Sequence, residues 1–118
     1  MLSVKPPVKP FQRNHLIRDA IGQALHYAMA ADPAVHLFGE GCDPKVHYDA
    51  PIIERDFPDR CHTMPIAEDG IVNFAVGAAL LGVKPVVDLI SSDFLYRAMD
   101  AICNTAAKAN FARPQEPI

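Results

Sequence analysis

The residue in this sequence with the clearest potential for chemistry is Glu68, within Met-Pro-Ile-Ala-Glu-Asp-Gly-Ile-Val at positions 64–72. Pro65 has a fixed φ and no backbone donor, which suits the exit from a strand. The residues after the acid are apolar except for Asn73, and this pattern predicts a buried helix. Ligands usually bind at the carboxyl ends of strands in α/β proteins, so we expect chemistry at Glu68. As the alternative, a carboxylate at this position only stabilises the helix dipole, and we assign that role to the neighbouring Asp69.

The other reactive side chains show no comparable pattern. His36, His47 and His62 lack the spacing of a helical metal-ligand pair, so we expect no metal site on this chain. His47 or His62 could face a substrate, or each could be an ordinary surface or partly buried histidine. Cys42 has no neighbouring base that would mark it as a nucleophile.

Helical and strand patterns alternate along the chain. Helices are predicted over 14–31, 52–57, 70–81 and 94–106. The first begins at an N-cap, Asn14, the second is only one or two turns, the third ends at Gly82, and the fourth follows a cap at 91–93. Strands are predicted over 35–38, 60–63 and 85–90. This alternation predicts the α/β class, with a partial doubly wound parallel sheet and helices on both faces. Three strands make a small sheet, so we expect a partner to complete it or the chain to be a shortened version of a larger module.

Length and composition set limits on the function. The 118 residues suffice for one domain, which we divide into a proline-rich arm over 1–13 and a folded, incomplete unit over 14–118. Half of the residues are hydrophobic and the net charge is −3 without a Lys/Arg cluster, so nucleic acid and membranes are not expected partners. The three widely spaced cysteines favour a reducing, cytoplasmic setting.

Four segments in order resemble a known family. They are 35–40 (Val-His-Leu-Phe-Gly-Glu), 64–72, 77–87 (Gly-Ala-Ala-Leu-Leu-Gly-Val-Lys-Pro-Val-Val), and 93–108 from Asp-Phe to Asn-Thr-Ala-Ala-Lys. Together they are similar to the N-terminal, pyrimidine-binding domain of the β subunit of thiamine diphosphate-dependent 2-oxo acid dehydrogenases, within the transketolase-like superfamily. The resemblance covers roughly residues 14–112.

The resemblance implies roles for three residues. Glu68 matches the catalytic acid that shares a proton with the pyrimidine ring nitrogen of thiamine diphosphate. Glu40 matches an acid near the aminopyrimidine pocket, although a solvated turn residue explains it equally well. Phe94 matches an aromatic side chain that packs on the pyrimidine, and the alternative is a core residue. Gly77 and Gly82 match glycines that pack against a partner subunit, where the amide of Asn73 would need a hydrogen-bond partner.

The resemblance also implies partners. The diphosphate and its Mg²⁺ are expected on an α subunit, because no Gly-Asp-Gly with a distant metal-binding Asn occurs here. A lipoyl-bearing acyltransferase would receive the acyl group after oxidative decarboxylation of a 2-oxo acid, in a homo- or hetero-oligomeric assembly. The alternative function is a truncated, non-catalytic homologue that acts as a binding or assembly module.

Overall fold

The computed structural model describes residues 17–40 and 50–112. The predicted arm over 1–13, the cap at Asn14, and the positions of Cys42 and His47 lie outside these ranges. The helices and strands are α1 (Ile17–Ala31), β1 (Val35–Gly39), α2 (Ala50–Asp56), β2 (Cys61–Thr63), α3 (Glu68–Leu80), β3 (Lys84–Asp88) and α4 (Ala107–Ala112). One 3₁₀ turn, Pro58–Arg60, precedes β2. The predicted order of helices and strands is confirmed.

The three strands form one parallel sheet in the order β2-β1-β3. Gly39, the last residue of β1, pairs with the last residues of both neighbours, Thr63 and Asp88. The three strands therefore end at the same level, and the segments that follow them leave from one edge of the sheet. Pro85 lacks a backbone donor and lies in β3, an outer strand of the described sheet, where a proline is tolerated.

Each face of the sheet is packed against helices. On one face, Val35 and Leu37 of β1 join a buried cluster with residues of α1 and α2, namely Leu25, Met29 and Ile53. Side chains alternate along a strand, so Phe38 points to the opposite face, where its ring contacts Phe74 of α3 with centroids 5.5 Å apart. The predicted α/β fold with helices on both faces is confirmed.

A glycine ends α3 as the sequence predicts. Gly82 has φ +90°, a left-handed conformation that a side chain disfavours. Its N–H donates to the carbonyl of Ala79 at 2.9 Å, and the next N–H, from Val83, donates to Ala78 at 3.1 Å. This pair of bonds is the Schellman arrangement, which satisfies the last carbonyls of the helix. The chain is thereby turned directly into β3.

The segment after β3 differs from the regular helix that the sequence predicts. Ser91 caps it as expected, with Oγ accepting from the N–H of Asp93 at 3.4 Å, but Ser92–Ala98 winds as a 3₁₀ helix. A π-helical stretch, Ala101–Ala106, follows before α4. Buried Ala98 and Ala101 pack with Val72 of α3 in a second cluster, so tertiary packing fixes this irregular winding.

The expectation for Asn73 also changes. Its exposed side-chain amide donates to the backbone oxygen of Asp69 at 3.1 Å and to the carboxylate of the same residue at 3.3 Å. The amide is therefore satisfied within its own helix, and a partner at a subunit contact is not needed for it.

Candidate functional site

The aligned strand ends bring together residues that are far apart in sequence. Glu40 directly follows β1, Glu68 begins the helix after β2, and Ile90 lies two residues beyond β3. All three line a single cleft of about 880 Å³. The cleft lies beyond the carboxyl ends of the strands, the position where parallel α/β sheets bind ligands. Its complete described lining is Glu40, Ile66, Ala67, Glu68, Asp69, Gly70, Ile90, Phe94 and Arg97.

Glu68 lies buried at the start of α3. The residue is only 6% exposed, in contrast to the exposed Asp69 that follows it. The helix N-terminus presents unpaired backbone N–H groups and a positive dipole end, both of which favour a carboxylate. Oε2 of Glu68 forms an ion pair with Nε of Arg97 at 3.3 Å. A buried acid beside a large cleft can exchange a proton or a hydrogen bond with a ligand, whereas a solvated helix-capping acid would be exposed.

Glu40 contributes an unsatisfied oxygen to the cleft. Its Oε1 is buried and has no hydrogen-bond partner among the residues that the structure describes. A buried acceptor left without a donor costs about 1–3 kcal/mol, so such an atom is usually paired by a ligand or water. The alternative interpretation of Glu40 is a solvated turn residue. The structure differs from it, because Oε1 is shielded from solvent and the residue lines the cleft.

Phe94 and Arg97 share one face of the 3₁₀ segment. In a 3₁₀ helix residues three apart are eclipsed, so both side chains point to the cleft that they line. Phe94 is 39% exposed, which does not fit a core residue of the described chain. Its ring offers an apolar surface to a flat ligand.

Two cleft residues were missed by the sequence analysis. Arg97 belongs to no motif that marks a binding residue. It lies three residues after Phe94, and this spacing indicates a shared face only if the segment is known to be a 3₁₀ helix. Ile90 adopts φ +67°, rare for a branched residue, within a tight turn in which Ser91 N–H donates to the carbonyl of Leu89 at 2.7 Å. Asp88 Oδ1 also accepts from Ile90 N–H at 2.8 Å and so stabilises this turn.

His36 and His62 lie away from the cleft. Nδ1 of His36 is 3.0 Å from Nε2 of His62, and the ring of His62 stacks on Phe38 with centroids 4.7 Å apart. Neither histidine is part of the described cleft lining. Within residues 17–40 and 50–112 no group of three His, Cys, Asp or Glu side chains is placed to hold a metal ion. The helices in these ranges are all too short or too polar to cross a membrane.

The chemistry of the lining fits one half of thiamine diphosphate. The carboxylates of Glu40, Glu68 and Asp69 accept hydrogen bonds from an amine or a protonated ring nitrogen, and Phe94 provides a surface for a flat ring. Arg97 is the one basic residue in the described lining. This set suits an aminopyrimidine, whereas three acids disfavour a diphosphate.

Comparison with known families agrees with this geometry. Residues 14–114 match the family described as the transketolase pyrimidine binding domain. The resemblance inferred from the sequence motifs is thereby confirmed.

Individual relatives are longer proteins. The chain is 37% identical over 98 residues to the pyruvate dehydrogenase E1 component subunit beta-1, mitochondrial, of Arabidopsis thaliana, an alignment that covers 80% of this chain and 27% of the relative. It is 33% identical over 113 residues to the 2-oxoisovalerate dehydrogenase subunit beta 2, mitochondrial, of the same plant, and this alignment covers 94% of this chain and 32% of the relative. For the pyruvate dehydrogenase E1 component subunit beta of Rickettsia bellii, identity is 34% over 98 residues, with 80% and 30% covered. The chain spans about a quarter to a third of the length of these relatives.

Proposed function

This chain belongs to the transketolase pyrimidine-binding domain family, and we propose that it forms the pyrimidine side of a thiamine diphosphate site in a 2-oxo acid dehydrogenase. The observation that carries the proposal is the position of Glu68, buried at the start of α3 and lining the cleft beyond the strand ends. The relatives support the enzyme class, because they are named as β subunits of pyruvate and 2-oxoisovalerate dehydrogenases.

In this proposal each cleft residue has a distinct task. Glu68 is the catalytic residue: its carboxyl group shares a proton with the pyrimidine ring nitrogen. Glu40 uses the unpaired Oε1 to accept a hydrogen bond from a donor on the ligand, and Phe94 packs on the face of the ring. Thiamine diphosphate, when bound, supplies the carbanion that attacks the 2-oxo group of the substrate.

A partner chain is part of the proposal. The described lining contains one basic residue and no metal-ligating cluster, so we place the diphosphate and Mg²⁺ on an α subunit. Oxidative decarboxylation with transfer of the acyl group to a lipoyl-bearing acyltransferase would complete the reaction. Both partners are those that the family resemblance implies.

We also propose a reducing compartment for the chain. The sequence contains three cysteines, Cys42, Cys61 and Cys103, which are widely spaced and form no C-x-x-C pair. The sequence favours the cytoplasm, whereas the Arabidopsis relatives are named as mitochondrial and the Rickettsia relative carries no such term. Fractionation of cells that express the native gene would identify the compartment.

Thiamine diphosphate binding tests the proposed function. Isothermal titration with thiamine diphosphate and Mg²⁺ should show binding when the full chain is combined with a candidate α subunit, and weaker or no binding by either chain alone. Thiamine monophosphate serves as the matched control, because it keeps the pyrimidine and loses one phosphate. Binding without any 2-oxo acid decarboxylation would favour the non-catalytic module. Absence of binding in every combination would contradict both the cofactor and the enzyme class.

A further inference from the structure

The ion pair between Glu68 and Arg97 joins two residues of very different exposure. The Glu68 side chain is 7% exposed, and the Arg97 side chain is 74% exposed. Arginine at such an exposed position usually has no fixed partner, because ordering a long side chain costs conformational entropy. Here its Nε lies 3.3 Å from the buried carboxylate oxygen Oε2. The buried partner, Glu68, is the residue to which we assign proton exchange with the ligand.

Core packing holds both partners in place. Ala98, adjacent to Arg97, is fully buried, and it packs with Val72, one turn along α3 from Glu68. The backbones that carry the acid and the base are therefore fixed relative to each other by a contact outside the cleft. The 3₁₀ winding then aligns Arg97 with Phe94 on the cleft side. The fold thus places the backbone of Arg97 where its side chain can reach Glu68.

The contact leaves Glu68 able to bind a ligand. Its distance, 3.3 Å between Nε and Oε2, is longer than a strong charge-assisted hydrogen bond, so the pair is a loose electrostatic contact. An ionised carboxylate has about four lone-pair sites. The ion pair therefore favours one orientation of the Glu68 carboxylate, and acceptor positions remain for a ring nitrogen.

We propose that Arg97 is a positioning residue, which orients the Glu68 carboxylate for the pyrimidine ring nitrogen of thiamine diphosphate. The inference rests on the proposed function, because it assumes that this ligand occupies the cleft. Recruitment of an anion is the less favourable use of Arg97, since Glu40, Glu68 and Asp69 make the described lining acidic. Arg97 acts through Glu68 and does not itself contact the ligand.

A double-mutant cycle tests this inference in the complex of the full chain with its α subunit. The variants are Arg97→Gln, Arg97→Lys, Glu68→Gln and the double variant Arg97→Gln/Glu68→Gln, with thiamine diphosphate and Mg²⁺ as the ligand in isothermal titration. Arg97→Gln should weaken binding about three- to tenfold, and Arg97→Lys should restore part of the loss because it keeps the charge. In the Glu68→Gln background, Arg97→Gln should not weaken binding further, since the negative charge with which Arg97 pairs is already gone. Circular dichroism of the bound pyrimidine should change in Arg97→Gln and not in the control Lys108→Gln, whose exposed amine pairs with Asn104 outside the cleft.

Each contrary result has a separate meaning. Equal affinity of Arg97→Gln and the unchanged chain would overturn the positioning role. The same loss in the Glu68→Gln background would also overturn it, because Arg97 would then contact the ligand directly. If the unchanged complex bound no thiamine diphosphate, the proposed function would fail first and this inference with it. Thermal unfolding of Arg97→Gln and Arg97→Lys identifies any loss of binding that arises from misfolding.

Discussion

His36 on the central strand and His62 on β2 form a pair of nearly parallel rings in edge-to-edge contact, with Nδ1 of the first 3.0 Å from Nε2 of the second and ring centroids 5.3 Å apart. The pair lies on the side of the sheet that faces α3, next to Phe38, and β1 connects it directly to the edge where the cleft opens. One ring nitrogen must donate and the other accept, so the contact requires that the two rings are not both charged. The geometry links the protonation of His36 to the stability of the sheet.

The pH dependence of stability tests this link. Burial lowers the pKa of His36 below its ordinary value of 6.5, with smaller contributions from His62 and Arg60. The unfolded chain therefore binds a proton at a higher pH than the folded chain, so the contribution of His36 to stability is complete above 6.5 and is lost as the pH falls through the lowered pKa.

Chemical denaturation at several pH values measures this effect. Between about pH 7.5 and about pH 5, the unchanged chain should lose more free energy of unfolding than His36→Gln, which cannot gain this proton. The relevant quantity is the difference between the two slopes, because groups that do not contact position 36 contribute equally to both proteins. Parallel slopes would show that His36 titrates alike in the folded and unfolded chain.

Replacing two glycines of the α3 region with alanine should change the free energy of unfolding in opposite directions. Gly82→Ala places a side chain at φ +90° and should lower the free energy of unfolding by about 1–2 kcal/mol. Gly77 lies within the helix, and the position that a Cβ would occupy there is open space, so Gly77→Ala should raise the free energy of unfolding by about 0.5–1 kcal/mol. Urea denaturation of the two full-chain variants provides the comparison, and a loss of stability in Gly77→Ala would contradict it.

The same Gly77→Ala variant examines the predicted subunit contact. The described chain itself offers no close neighbour that requires a glycine at position 77. If that glycine packs against a partner, the added methyl group should weaken assembly while the chain alone becomes more stable. Sedimentation of the chain mixed with a candidate α subunit measures this, and unchanged assembly would show that Gly77 lies outside the interface.

At position 90 a glycine variant should be more stable than an alanine variant, which reverses the usual order of stability. At φ +67° any L-residue is strained, whereas glycine is not. Ile90→Gly and Ile90→Ala both remove the side chain, so their difference isolates the backbone. We expect the glycine variant to be more stable by about 1 kcal/mol in urea denaturation. A more stable alanine variant would mean that this tight turn is not under strain.

Much of the fold could be predicted from local sequence patterns. Branched residues around Val86 and Val87 marked β3, and the apolar run after Glu68 marked a buried helix. The C-terminal glycine of α3 was equally visible, because the left-handed conformation at Gly82 has a strong residue preference. These features depend on interactions within a few residues of the chain.

The parts of the cleft that could not be predicted depend on packing between distant segments. The 3₁₀ winding that aligns Arg97 with Phe94 depends on the burial of Ala98 and Ala101 against Val72, which sequence periodicity does not encode. Ile90 is a residue type that favours strands, so its positive φ contradicts local propensity. Glu40, by contrast, was found through the family resemblance, and its role stays a prediction.

The most direct measurement of the central claim is the turnover of Glu68→Gln in the reconstituted complex. The amide keeps the size of the side chain and cannot exchange a proton with the ring nitrogen, so the rate of 2-oxo acid decarboxylation should fall by about 10²–10⁴-fold while the circular dichroism of the fold is unchanged. Glu54→Gln, the same substitution at an exposed position on α2, should keep full activity. Full activity in Glu68→Gln would contradict the assignment of Glu68 as the catalytic acid.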